Sequence, residues 1–431
     1  MAATLLATVM ASVPARAEEP IPLLISVDDL PMAGGLNPDV ETRRRLTDEM
    51  LATLAKHQVP AVGLVTWGNM RPGDEALLES WLDAGHELGN HSTAHLSYTA
   101  TEFPAYFADI ESARQEINRF LVAQSESLGK HTQSQRAVRF FRFPMLREGD
   151  TAAKLNAMRE YLADSGQRNL PVTLDTQDWS FERPWLAAVR SGDKKRQQAV
   201  AEAYHESLHL SIRHQEQLAR RLFERPVAQI LLLHANAVGA AQWDRLFTWL
   251  KDQGYRFASA DEVLADPAFA EQHAYVGTHG PGLWHRLRAE RQTGEIADEV
   301  KAFLLEQADA WNRGDLETFT RSYAEDARFV SPSGLTLGRA EVLARYQRRY
   351  PDRSAMGHLT FEFHHVGLHS GTEVSLLGDA VPSRVHGATV VAKWMLGYPD
   401  DAERDDASGL TLIVLRRSLN GAWEITEDAS M

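Results

Sequence analysis

From residue 22 to about residue 264, short β-branched or apolar runs alternate with longer stretches of helical period. Residues 23–27, 61–66, 138–143, 172–174 and 229–233 predict strands, and 42–56, 75–84, 106–123 and 199–223 predict helices. Strand and helix in strict turn is the pattern of a parallel α/β fold, because each parallel strand needs a crossover before the next. Between 267 and 295 a stretch rich in Gly, His and Arg breaks the alternation and predicts a linker. A different pattern follows: helical runs at 297–311 and 315–323, a short strand at Phe329, a helix at 339–350, then alternating strands with a hairpin turn at Asn420 and Gly421. That second pattern is α+β. The expected division is therefore a first domain at 18–266, a linker at 267–295 and a second domain at 296–431.

A chain of 431 residues has ample length for two cores. Against 59 acidic residues stand 45 basic ones, a formal net charge of −14, which argues against a nucleic-acid or anionic-membrane partner, since both demand a concentrated basic surface. Without cysteine there is no disulfide, thiolate metal site or Cys nucleophile, so any metal must take N and O ligands. Residues 1–17 read as a signal peptide, with an apolar stretch from Leu5 to Val13 and Ala15, Arg16, Ala17 as cleavage signal, although no basic residue precedes Pro14. Export, periplasmic or secreted, is the expectation. No run of 18 apolar residues appears elsewhere, so no membrane span is expected.

The candidate chemistry sits where the predicted strands end, the face that carries function in barrels and doubly wound sheets. Asp28 and Asp29 close an apolar strand; neighbouring strand residues point to opposite sides, so one carboxylate can bind a metal while the other faces the attacking water. His91 and His95 follow Gly85 to Asn90, and in a helical turn residues four apart can hold one ion. With 17 histidines in the chain, such a pair is expected by chance roughly once, so the setting has to carry the argument. Arg142, between Phe141 and Phe143, needs a carboxylate partner to justify burial, and Asp28 is the candidate. His234 ends a strand too apolar to face solvent and suits a general acid, oriented by Asp178 or by its rival Asp175. His86 reads as structural.

Two other metal readings compete. His205, Glu206 and His209 match the helical zinc-protease spacing, but they lie in a long, strongly polar helix that lacks the third His of the extended motif. Two histidines and a carboxylate also form the iron triad of oxygenases, yet that triad belongs to β scaffolds rather than a βα pattern.

Taken in order, Asp28–Asp29, Gly85 to His95, Arg142 with Pro144, Asp178 with Trp179, and Leu231 to His234 resemble the five motifs of the polysaccharide deacetylases, carbohydrate esterase family 4 with its NodB homology domain. The resemblance spans about residues 22–264. It implies a distorted (β/α) barrel of about seven strands and a divalent metal, usually zinc, held by Asp29, His91 and His95. It further implies Asp28 as base, His234 as acid, Arg142 holding Asp28, and Asp178 holding His234. Met145, through its backbone amide, and Trp179 are the substrate-binding positions. An acetylated amino sugar or glycan would be the substrate. Leu30 and Pro31 stand where many members have Gly, and Met145 replaces the usual aromatic, so another amide, an O-acetyl ester or a non-catalytic glycan-binding role are the alternatives. From about residue 298 the chain resembles the nuclear-transport-factor-2-like superfamily, particularly SnoaL-like members, on Trp311 to Asp315 and Tyr323 to Ala327. That implies a cone-shaped α+β domain with a pocket, and a homodimer formed through it; Trp311, Tyr323, His364 and Trp394 are candidate pocket residues.

Overall fold

A computed structural model describes residues 19–36, 39–127, 137–374, 380–398, 404–418 and 421–431. Residues 1–17, expected to be a signal peptide, and the expected turn residue Asn420 lie outside the described residues. Two compact units are present, one ending at Gln272 but regaining Val276–Trp284, the other formed by His273–Tyr275 and His285–Met431.

The first unit opens with β1 (Ile21–Leu30), α1 (Val40–His57), β2 (Ala61–Val65), α2 (Glu75–Asp83) and β3 (Glu87–Asn90). It continues through α3 (Phe103–Ser127), β4 (Phe140–Phe141), α4 (Ala152–Asp164), β5 (Arg168–Asn169) and β6 (Leu174–Asp175). It closes with α5 (Glu182–Ser191), α6 (Lys194–Phe223), β7 (Gln229–His234), α7 (Ala237–Asp252), β8 (Tyr255–Phe257) and α8 (Ala260–Leu264). All described pairings are parallel, in the order β5-β4-β3-β2-β1-β7-β6, with β8 joining the start of β1. This curled sheet of seven strands with flanking helices is the distorted barrel expected from the motifs.

The apolar runs are continuous because both sheet faces are buried. Leu23, Ile25 and Val27 join Leu231 and Leu233 against α1 and α7, while Leu24 packs with Val62, Leu64, Phe140, Leu170 and Ile230 on the other face. The period of two therefore puts Leu24, Ser26 and Asp28 in file along the concave side. β3, β5 and β8 escape the sequence pattern because they are two to four residues long and include Gly or polar positions. The strands expected at 138–143 and 172–174 contract to two residues each. Part of the expected linker is helical, since α9 (Leu283–Asn312) begins inside it. Leu283, Trp284 and Leu287 are buried there, and the Trp284 indole N–H donates to Gln229 Oε1 at 2.8 Å.

In the second unit, α9 is followed by α10 (Leu316–Arg321), β9 (Tyr323–Ser331), β10 (Gly334–Leu337), α11 (Arg339–Arg349) and α12 (Arg353–Met356). Four strands complete it: β11 (His358–Val374), β12 (Ala380–Gly397), β13 (Ala407–Arg417) and β14 (Trp423–Ser430). The six-stranded sheet runs β10-β9-β14-β13-β12-β11, antiparallel except for β14 on β9. Val300, Leu304, Trp311, Phe319 and Val342 from the helices share a core with Ala388, Val390, Ile413 and Ile425 from the strands. No helix among the described residues is long and apolar enough to cross a membrane.

Candidate metal and catalytic site

Strand ends bring the candidate residues to one mouth. Asp28 and His234 are direct register partners on neighbouring parallel strands. The β1–β2 register shifts after Val27, and Asp29 takes a left-handed backbone, φ 65°, which re-aims its carboxylate. Thr66, at the end of β2, donates its hydroxyl to Asp29 Oδ1 at 2.9 Å.

His91 and His95 meet differently from the expected helical turn. Ser92 and His95 are left-handed, at φ 69° and 53°, and the segment is not helical. Local side chains fix the bend: Asn90 Oδ1 accepts from Ser92 N at 2.9 Å, and Ser92 Oγ accepts from His95 N at 3.0 Å. The two rings lie edge to face, 5.0 Å between centroids. His91 Nε2 and His95 Nε2 stand 4.0 and 3.7 Å from Asp29 Oδ1, and the three potential ligand atoms all lie within 4.8 Å of one another.

The tautomer of His91 follows from its other nitrogen. Nδ1 lies 2.9 Å from the Arg142 carbonyl, which can only accept, so Nδ1 carries the proton and Nε2 offers its lone pair. Burial holds His91 well below the usual imidazole range and keeps it neutral. Two ligands at about 2.05 Å in tetrahedral directions sit roughly 3.4 Å apart, close to the 4.0 and 3.7 Å that separate the two imidazoles from Asp29 Oδ1. Two imidazoles and a carboxylate suit zinc or another first-row ion.

Arg142 is fully buried and its guanidinium is shared out. Nη1 donates to Asp28 Oδ1 at 2.7 Å and to Ser26 Oγ at 2.8 Å, and Nε donates to the Leu170 carbonyl at 3.1 Å. Asp28 thus keeps Oδ2 free to face the mouth, 3.5 Å from His91 Nε2. Opposite, both oxygens of buried Asp178 serve His234: Oδ1 takes Nδ1–H at 2.6 Å and Oδ2 takes the backbone N–H at 2.9 Å. Burial opposes charge on His234, but Asp178 outweighs it, with Asp29 and Asp28 adding, and the imidazole is raised to about 9. Asp175 is excluded as rival, since its carboxylate takes the Gln177 N–H and its carbonyl takes Ser211 and Gln215.

Trp179 follows Asp178 in a 3-10 turn and is 56% exposed beside it. Met145 lies in the turn Pro144–Leu146 with left-handed φ of 55° and is half exposed. Ser26 and Thr66 escaped the sequence reading. A hydroxyl two residues before Asp28 in an otherwise apolar strand was the available signal for the first. His205 and His209 take no part: His205 Nε2 meets Gln242 Oε1 at 3.1 Å and His209 stacks on Trp249 at 3.8 Å, packing α6 against α7. Among the described residues, Asp29, His91 and His95 are the one group placed to hold a metal.

A family model described as polysaccharide deacetylase matches residues 16–162, and one described as SnoaL-like domain matches residues 304–416. The first match takes in Asp28, Asp29, His91, His95, Arg142 and Met145 and ends before Asp178 and His234. No curated protein matches the chain. Similar solved structures include the polysaccharide deacetylase Bc1974 from Bacillus cereus, 18% identical over 56% of this chain and 91% of that one, with a TM-score of 0.38. Wild-type BA3943, a CE4 family pseudoenzyme from Bacillus anthracis, is 20% identical over 57% and 70%, TM-score 0.36. An NTF-2 like protein of unknown function from Shewanella oneidensis MR-1 is 27% identical over 31% and 96%, TM-score 0.25. The chain thus joins a domain of the polysaccharide deacetylase family to a SnoaL-like domain.

Proposed function

We propose that the first unit is a metal-dependent deacetylase that removes N-acetyl groups from an amino sugar or polysaccharide. One observation carries the reading: a ligand triad, a carboxylate held by a buried arginine and an imidazole held by a buried carboxylate converge on one mouth. Asp29, His91 and His95 are the ligands, and zinc is the ion this donor set favours. Bound there, a divalent cation supplies Lewis acidity, polarising the acetamide carbonyl and lowering the pKa of water.

The chain's own groups then divide the proton work. Asp28, anchored through Oδ1 by Arg142, takes a proton from the attacking water on Oδ2. The Met145 backbone N–H donates to the oxygen that gains charge. His234, protonated on Nε2 because Asp178 fixes its Nδ1, passes a proton to the departing amine. No covalent intermediate is needed. Trp179 offers an exposed indole face for a sugar ring. Export of the chain and dimerisation through the second unit belong to the same proposal.

A second reading, the same site cleaving another amide or an O-acetyl ester, rests on half-exposed Met145, a flexible thioether where the family pattern has a ring. Acetate release from N-acetylglucosamine oligomers, measured beside elemental analysis, tests the main proposal. Asp28→Asn protein keeps its metal and loses about 100-fold or more in rate. If that variant, metal-loaded, matches the wild type, the proposal fails; a metal-loaded wild type that spares N-acetyl sugars but cleaves O-acetyl esters selects the second reading.

A further inference from the structure

The second unit encloses a cavity of about 360 Å3 that deacetylation does not use. Its walls are rings: Trp311, Phe319, Phe329, Tyr346, Phe361 and Trp394 all line it. Trp311 and Phe319 meet Tyr346 edge to face at 5.6 and 5.2 Å, so the ring stack is held from within its own core. Among the candidate pocket residues, His364 lies outside this lining.

The floor is polar and has no cation. Asp428 is buried, and accepts from Tyr323 OH at 2.6 Å and from Thr411 and Ser430 hydroxyls at 2.8 Å each. Among the described residues no basic side chain pairs with it. The Trp394 indole N–H is also buried without a hydrogen-bond partner.

The rim carries the opposite character. Ser333 and Arg349 are exposed and Arg345 is half-buried. Arg345 Nη2 donates to Ser331 and Ser333 hydroxyls at 2.8 and 2.7 Å, and Arg349 Nε donates to Tyr350 OH at 3.1 Å. No carboxylate among the described residues neutralises either guanidinium, in a chain whose net charge is −14. Two unpaired guanidiniums at the lip of an aromatic cavity form a receptor for an anion carried on rings.

We propose that this cavity binds a planar, ring-bearing carboxylic acid, with its rings between the aromatic walls, its carboxylate on Arg345 and Arg349, and a far-end hydroxyl that donates at Tyr323 and Asp428. The volume falls within the range of small-molecule sites and takes one or two fused rings. This assignment does not rest on the deacetylase reading.

Isothermal titration of the full chain with 2-naphthoate, and with neutral 2-naphthalenemethanol as its counterpart, tests it. Wild type binds both, and Arg345→Gln Arg349→Gln protein binds the acid about tenfold more weakly or worse while keeping the alcohol within about twofold. His91→Ala His95→Ala protein retains full affinity for the acid. Circular dichroism melting of the arginine variant, whose changes lie at the rim, reports whether the unit stays folded. No heat from wild type at millimolar acid overturns the proposal. Equal weakening of acid and alcohol by the arginine changes overturns the assignment of the carboxylate, and loss of binding in the histidine variant would put the acid at the other site instead.

Discussion

At the scale of single residues, the site is a set of side chains each fixed by a second group that does no chemistry itself. His234 shows what this does to pH dependence. Its pKa, raised to about 9 against burial by Asp178, leaves it protonated and able to donate across the neutral range. Deacetylation should therefore fall as pH rises through the His234 pKa, and a cation on Asp29, by cancelling one of the carboxylates that raise it, places that limb below 9. Asp178→Asn removes the largest raising group, so the alkaline limb of kcat/KM moves to lower pH and kcat drops, whereas Asp175→Asn leaves the limb in place. An unmoved limb in Asp178→Asn would show that His234 is not the acid. Stability follows the same sign in metal-free protein: the His234 contribution is complete below its unfolded value near 6.5 and is lost as pH rises through about 9. The pairing of Arg142 with Asp28 could be read in advance because a charge inside an apolar run needs a partner, whereas the residues alone left Asp178 and Asp175 open as partners of His234. The bend at His91–His95 could not, since its left-handed residues are Ser92 and His95, neither marked by glycine. The re-aimed Asp29 was hidden for the same reason.

At the scale of elements, strand ends position the chemistry and helix starts hold the strand ends. The first turn of α7 begins three residues after His234, and its free N–H groups are met by side chains: Asn236 accepts from Gly239 N at 2.7 Å, and Glu182 accepts from Ala237 N and Val238 N at 3.1 and 2.9 Å. Glu182 starts α5, just after the turn bearing Asp178, so one buried carboxylate ties together the two segments that carry Asp178 and His234. Glu182→Ala leaves two buried donors unmet, a cost of about 2 kcal/mol. Melting of the first unit should then drop by on the order of 4–8 °C, read by calorimetry, with acetate release falling while metal content persists. The long strands β1 and β7 and the long helices were legible from periodicity. β3, β5 and β8 were not, because strands of two to four residues with Gly or polar positions have too little period to read, and β4 and β6 were expected longer than they are. α9 was misjudged at its start, where Leu283, Trp284 and Leu287 are anchors set among His and Arg.

At the scale of the whole molecule, two units with separate cores share one chain, and their responses to ligands should separate. A metal that binds only the folded first unit stabilises it by mass action, about 2.7 kcal/mol at one hundred times Kd. Chelation should lower one calorimetric transition by on the order of 5–10 °C and leave the other unchanged. A chelator that shifted both equally, or neither, would count against a resident ion in the first unit. The broad division into an α/β and an α+β half was visible in the switch of pattern after the last crossover helix, and the resemblance of the second half implied a pocket and three of its lining residues, Trp311, Tyr323 and Trp394; the arginine rim was not visible, because the walls come from helices and strands far apart in sequence. The placing of β1 has a consequence for how the protein is made. Asp28 pairs beside His234, and Ile21 beside Tyr255, so β1 waits during synthesis for partners more than 200 residues behind it. At 5–20 residues per second that interval is about 10–40 s. Until the chain has been synthesised past β8, this largely buried strand has its eventual neighbours missing on one side, and Asp28 and His234 cannot meet. Nascent chains cut short before that point would be open to aggregation rather than partly active, and a carrier that binds the emerging β1 would raise the yield of folded protein.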